Sequence, residues 1–108
     1  MRILLVDDKD YQRKQIGDLL KQAGYEIIFA KNGNTGLTRL KKHSIDLVIT
    51  DTKMPLLDGP AMVAEIKKSK YRDVPIIGMS SREQSRQLYE NFWQKNEPIE
   101  ILLNLIKN

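Results

Sequence analysis

Cysteine is absent from this chain of 108 residues, which excludes disulfides, thiolate chemistry and cysteine-ligated metals. Long apolar runs are also lacking, since none exceeds four residues, and we expect no segment to span a membrane. Only four apolar residues lie between Arg2 and Asp7, too few for the apolar core of a secretory signal. We therefore expect a cytoplasmic protein with one domain, covering residues 1–108.

The charged residues also limit the possible functions. The single histidine, His43, falls at the end of a predicted helix, so histidine-based catalysis is not expected. The net charge is +4, but lysines and arginines are spread along the sequence. Their densest groups, Lys41-Lys42 and Lys67–Lys70, lie near predicted helix ends, where cations complement the helix dipole. Direct nucleic-acid binding is therefore not expected.

Short apolar segments alternate with helical patterns along the chain. The predicted strands are Ile3–Val6, Tyr25–Ala30, Ile45–Thr50, Pro75–Met79 and Asn91–Lys95. The predicted helices are Lys9–Ala23 with Asp8 as N-cap, a second from Asn34 or Thr35 to about His43, a third capped by Asp58 with Pro60 in its first turn, and a last one opened by Glu97-Pro98. Several strands are apolar at successive positions, which is typical of parallel strands buried on both faces. The alternation predicts an α/β fold with a five-stranded parallel sheet.

The segment between Ser80 and Lys95 departs from this pattern. Ser80-Ser81-Arg82-Glu83 has the form of a helix capping box. Only 15 positions separate Ser80 from Lys95, however, and an average helix takes about 11 residues before any loop or strand is counted. We expect a fourth helix that is shortened to about two turns or missing.

Polar residues follow four of the strands at what should be one edge of the sheet: Asp7, Asp8, Asp51, Ser80 and Lys95. Each alone could be a cap, a loop acid or a strand-end charge. Together, three carboxylates about 5 Å apart would repel by roughly 3 kcal/mol per pair at an effective dielectric near 20, which favours a bound cation. Carboxylates beside a lysine and a hydroxyl suit Mg²⁺ and a phosphate. The pattern indicates a phosphoryl site with Asp51 as nucleophile.

These residues and their spacing resemble the receiver domain of two-component response regulators over nearly the whole chain. The matching motifs are the acidic pair Asp7-Asp8, the loop Asp51–Gly59 with Met54-Pro55 and Asp58-Gly59, the segment Pro75–Ser81, and Lys95 with Phe92 three residues before it. The resemblance implies a doubly wound, flavodoxin-like fold with strand order 2-1-3-4-5.

The resemblance also implies a function. A histidine kinase or phosphotransfer protein would phosphorylate Asp51, and the chain would catalyse only its own phosphorylation and dephosphorylation. Mg²⁺ would bind to the carboxylates of Asp8 and Asp51, to Asp7 mainly through water, and to the backbone carbonyl of Lys53. Ser80 and Phe92 would form the switch. The signal would leave through the surface of the fourth helix, fifth strand and last helix, toward a downstream protein or an attached effector domain.

Some departures keep other readings open. Asn96 stands where the family usually has proline, and Lys53 lies beside the metal site, so the chain could be a phosphorylation-independent interaction module. An aspartate-nucleophile phosphatase of the haloacid dehalogenase type is a further alternative, but its second aspartate is replaced by Lys53. Ile101 and Leu105 lie away from the core face of the last helix and could form a homodimer face.

Overall fold

All five strands pair in parallel in one sheet. The structure is a computed structural model that describes residues 1–108. The strands are β1 (Arg2–Val6), β2 (Glu26–Ala30), β3 (Leu47–Asp51), β4 (Ile76–Ser80) and β5 (Phe92–Gln94). Their order is 2-1-3-4-5, so the predicted fold class is confirmed. Val6 pairs with Thr50, and Asp51 pairs with Met79, which brings the residues that follow β1, β3 and β4 to the same edge.

Four α-helices cover the two faces of the sheet: α1 (Asp10–Gln22), α2 (Gly33–Lys42), α3 (Gly59–Lys67) and α4 (Ile99–Lys107). On one face, Ile3 and Leu5 pack with residues of α1 and α4. On the other, Leu4 and Val6 pack with residues of α2 and α3. Because successive side chains of a strand point to opposite faces, a strand between two helical layers is apolar at every position.

Two helix starts differ from the sequence expectation. Asp8 does not cap α1, because the N-cap position is occupied by Lys9, whose own side chain makes no capping hydrogen bond. Helix α2 begins at Gly33 rather than at Asn34 or Thr35, since Asn32 accepts a hydrogen bond from the backbone N–H of Thr35. Asp58 caps α3 as predicted, by accepting from the backbone N–H of Ala61 at 2.9 Å.

The expected fourth α-helix is replaced by a 3₁₀ helix, Glu83–Leu88. The capping-box expectation is wrong, because Ser80 belongs to β4 and accepts a hydrogen bond from Arg82 N–H instead. The prediction of a shortened segment is confirmed. No helix of the structure is both long and apolar enough to cross a membrane.

The last helix presents less apolar surface than its sequence predicted. Ile101 is exposed, but Leu105 is half-buried and packs against the core. Leu102 and Ile106 are buried as expected. Because Leu105 is half-buried, the predicted dimer face is reduced to one exposed apolar side chain, Ile101.

The segment before this helix contains Asn96. The chain has no cis peptide bond, so the Lys95–Asn96 bond is trans.

Candidate functional site

Three carboxylates meet at the carboxyl edge of the sheet. One oxygen from each of Asp7, Asp8 and Asp51 lies within 4.8 Å of the other two. Asp7 and Asp51 are buried, and Asp8 is half-buried. The strand register that aligns the ends of β1 and β3 explains why residues 44 positions apart converge here.

The two acids after β1 have different environments. Asp7 Oδ1 accepts a hydrogen bond from the backbone N–H of Lys9 at 2.9 Å, which is why Asp7, and not Asp8, satisfies the entry to α1. Asp8 Oδ1 is buried and accepts no hydrogen bond, although the Lys9 ammonium lies 3.5 Å away. The ion pair with Lys9 is longer than a hydrogen bond, and a buried carboxylate oxygen that accepts no hydrogen bond is costly, so a directly bound metal ion would satisfy it better. Its position in the cluster therefore fits a hard metal ion such as Mg²⁺.

Lys95 joins the carboxylates from the end of β5. Its ammonium lies 3.3 Å from Asp7 Oδ2 and 3.3 Å from Asp51 Oδ1, and it donates to Gln12 Oε1 at 2.7 Å. The backbone N–H of Lys95 donates to Ser80 O at 2.9 Å. These contacts aim the ammonium into the site even though proline is absent at position 96. Sequence reasoning missed Gln12, because nothing in its local pattern shows that α1 turns it toward β5.

Asp51 is the carboxylate whose protonation is most perturbed. Burial is the main cause that raises the pKa of Asp51 to about 6, and the negative charge of Asp7 adds to the rise. The Lys95 ammonium and the Thr52 N–H oppose it. Its carboxylate is therefore held in a poorly solvated position that a further cation would stabilise.

The remaining predicted site residues surround the cluster. Asp51, Ser80, Lys53 and Lys95 line a polar cavity of about 190 Å³ that contains no hydrophobic lining residue. The Lys53 side chain is exposed. Phe92 does not line this cavity and is buried in β5. A small polar opening over Asp51 suits an anionic group with several acceptor oxygens.

Two further residues contact this site from positions that sequence reasoning did not select. Thr52 donates its backbone N–H to Asp51 Oδ1 at 3.0 Å, and its hydroxyl lies 3.0 Å from the hydroxyl of Tyr89. The one sequence signal was Gly78 inside β4, since a glycine in a strand often marks the close approach of another group. A Cβ at Gly78 would overlap the Tyr89 ring.

A sequence model of the response regulator receiver domain matches residues 3–95. The chain therefore belongs to the response regulator receiver domain family, as predicted. It is 41% identical over 81 residues to the probable transcriptional regulator ycf27 of Cyanidium caldarium, covering 75% of this chain and 32% of that protein. It is 43% identical over 68 residues to the chemotaxis protein CheY of Bacillus subtilis, covering 62% and 57% of the two chains. The chain thus spans less than two thirds of either relative.

Solved structures give the same result for the fold. The response regulator TrrA of Thermotoga maritima, crystallised with Mg²⁺ and beryllofluoride, is 31% identical, with a TM-score of 0.90 over 98% of this chain and 96% of that chain. In its complex with the histidine kinase ThkA, TrrA matches at a TM-score of 0.85 and 32% identity, over 98% of this chain and 95% of that chain. Receiver domains are signalling modules of two-component systems, and this is the class to which the chain belongs.

Proposed function

We propose that the domain formed by residues 1–108 is a phosphoacceptor that carries a two-component signal on Asp51. The observation that supports this most is the position of the Asp51 carboxylate, which shares one cluster with Asp7, Asp8 and the Lys95 ammonium. A single buried aspartate could be structural. An aspartate beside two more acids, a lysine and a polar cavity has the groups that phosphoryl transfer requires.

The donor set supports Mg²⁺ as the metal. Asp8 and Asp51 would hold it through carboxylates, Asp7 mainly through water, and Lys53 through its backbone carbonyl. The buried oxygen of Asp8 that accepts no hydrogen bond is the specific feature of this chain that favours the assignment. When bound, Mg²⁺ neutralises charge on the transferring phosphoryl group.

The protein residues have separate roles in the transfer. A carboxylate oxygen of Asp51 forms the new bond to phosphorus, while the phosphorus–nitrogen bond of a phosphohistidine breaks and its electron pair stays on that nitrogen. Lys95, now paired with two carboxylates, offers its ammonium to the phosphoryl oxygens, and the Ser80 hydroxyl donates to another. Phe92 is the proposed aromatic member of the switch. The protein would act only on its own phosphoryl group.

The proposed phosphodonor is a histidine kinase or a histidine phosphotransfer protein in the cytoplasm. The complex of TrrA with ThkA supports this class of partner. The output would act on a downstream protein or an attached effector domain, through the surface that comprises the 3₁₀ helix, β5 and α4.

A phosphorylation-independent interaction module is the second candidate. It is favoured by the 3₁₀ helix Glu83–Leu88, which replaces a helix on the surface expected to report phosphorylation. The compact cluster around Asp51 argues for retained chemistry, so we rank this candidate second.

Intact mass after incubation with Mg²⁺ and acetyl phosphate tests the proposal. We expect one labile phosphoryl group on the wild type and none on Asp51→Asn. A matched control, Asp73→Asn, removes an exposed carboxylate outside the cluster and should be modified like the wild type. Failure of a folded wild type to gain the group would favour the interaction module. Equal gain by Asp51→Asn would reject Asp51 as phosphoacceptor and place the phosphoryl group on another residue.

A further inference from the structure

The ring of Tyr89 occupies space over the sheet just after the 3₁₀ helix. Tyr89 is half-buried. A Cβ at Gly78 would overlap its ring, and a Cβ at Gly59 would meet its hydroxyl at 2.6 Å. At Gly59 the backbone oxygen of Asp51 is closer still, so only Gly78, whose nearest neighbours are all atoms of the Tyr89 ring, provides room specifically for that ring.

The direction of the Tyr89 hydrogen bond follows from the number of available protons. The Thr52 hydroxyl donates to Met79 O at 2.9 Å, and a hydroxyl has one proton. Tyr89, whose hydroxyl lies 3.0 Å from Thr52 Oγ1, must therefore be the donor in their bond. Burial is the main cause that raises the pKa of Tyr89 to about 12, so the phenol keeps its proton at neutral pH.

Thr52 is thereby in contact with three parts of the site. Its backbone N–H donates to Asp51 Oδ1 at 3.0 Å. Its hydroxyl contacts the carbonyl of Met79, the residue before Ser80, and the hydroxyl of Tyr89. Thr52 therefore connects Asp51 and the end of β4 to the oxygen to which Tyr89 donates.

Tyr89 also contacts the surface segment in which it lies. Its ring stacks on Phe92 with centroids 6.1 Å apart, and the guanidinium of Arg86 lies 5.0 Å from the Phe92 ring centre. Arg86 in turn pairs with Glu83 at 2.6 Å, within the 3₁₀ helix. The contacts between Asp51 and the exposed 3₁₀ helix are thus continuous, with Thr52 and Tyr89 as the links.

We propose that Tyr89 is a positioning residue that transmits the state of Asp51, through Thr52, to the 3₁₀ helix that stands in place of an α-helix. This inference rests on the proposed phosphorylation of Asp51. Phosphorylation changes the acceptor of the Thr52 N–H and draws Ser80 toward the new group. Thr52 must then readjust, and the Tyr89 hydroxyl readjusts with it.

The test combines spectroscopy with hydrogen exchange. The four tyrosines carry a carbon-13 label at Cζ, and the Tyr89 resonance is assigned by its loss in Tyr89→Phe. On addition of Mg²⁺ and beryllofluoride to the wild type, we expect the Tyr89 resonance to shift. We also expect amide protection in residues 81–91 to change by about fivefold or more, the factor that corresponds to one hydrogen bond.

The variants separate transmission from a purely structural role. Tyr89→Phe keeps the ring and removes only the hydroxyl, so the fold should be kept. In this variant, the change that beryllofluoride causes in the logarithm of amide protection in residues 81–91 should be less than about half of the change in the wild type. Tyr71→Phe, at a half-buried tyrosine outside this network, should respond like the wild type. Thr52→Val, which removes the acceptor, should lose the response of the Tyr89 resonance and provides a second test should Tyr89→Phe be unstable.

The outcomes distinguish this inference from the proposed function. If acetyl phosphate leaves the wild type unmodified, both are overturned. If the wild type is phosphorylated but the Tyr89 resonance does not shift, or Tyr89→Phe responds fully, only the transmission through Tyr89 is overturned.

Discussion

Asp51→Asn removes the charge that burial disfavours most in this domain. Asparagine has nearly the shape of the protonated acid, and its side-chain oxygen can still accept from Thr52 N–H. Lys95 also keeps its contacts with Asp7 and Gln12. The substitution therefore measures mainly the cost of ionising Asp51 in the folded protein.

That cost can be obtained from the raised pKa. A rise from 3.8 to about 6 corresponds to about 3 kcal/mol, at about 1.4 kcal/mol per pH unit. Because the folded state holds the proton more tightly, the stabilisation is complete below pH 4 and is lost as pH rises through 6. Without metal, Asp51→Asn should therefore match the wild type near pH 4. At pH 8 it should be more stable by about 3 kcal/mol, or by about 10 °C or more in Tm.

Urea unfolding with a chelator present, followed by far-UV circular dichroism from pH 4 to 8, measures this difference. Asp73→Asn is the matched control, because its carboxylate is exposed, and it should stay within about 0.5 kcal/mol of the wild type. A stability gain for Asp51→Asn that is the same at pH 4 and pH 8, or a wild type that is the more stable at pH 8, would refute the argument from burial.

Three further predictions concern the metal, the packing and the assembly. Mg²⁺ should raise the Tm of the wild type, and Asp8→Ala should abolish the shift, because a ligand stabilises only the state that binds it; an equal shift in the variant would remove Asp8 from the metal site. Gly78→Ala should cost about 1 to 3 kcal/mol in urea unfolding, since its methyl group overlaps the Tyr89 ring, and adding Tyr89→Ala should recover part of that loss; no recovery would mean that the ring is not the obstacle. If α4 mediates a phosphorylation-dependent homodimer, sedimentation velocity should show a larger species with beryllofluoride and not with Ile101→Ser; identical profiles would argue for a monomer.

Local sequence patterns were enough to predict a five-stranded parallel sheet between two helical layers, whereas the strand order followed from the resemblance to receiver domains. Ile3–Val6 and Leu47–Ile49 are apolar at every position, and such strands need a helical layer on each face. The acids that follow these strands, Asp7 and Asp51, then had to meet at one edge of a parallel sheet. The short segment after Ser80 could also be predicted, because its length cannot hold a full helix and a strand.

Local patterns failed where two nearby groups competed for one role. Asp8 and Asp7 both precede α1, and either could satisfy its entry. Asp7 accepts from Lys9 N–H, which leaves a buried oxygen of Asp8 free of hydrogen bonds. Which of the two acids accepts this hydrogen bond depends on the backbone path after β1, and that path cannot be predicted from the order of residue types.

The tertiary structure alone decided the contacts between distant side chains. Gln12 binds Lys95 across 83 positions, and Tyr89 binds Thr52 across 37. Periodicity reports which face of an element is buried, because burial depends on the element's own sequence. The polar partner of a given side chain comes from another element, and its identity depends on the strand order and on how the helices pack. For that reason the sequence by itself determined the sheet and its acidic edge, whereas only the folded chain revealed how Lys95 is aimed and how Tyr89 is joined to the site.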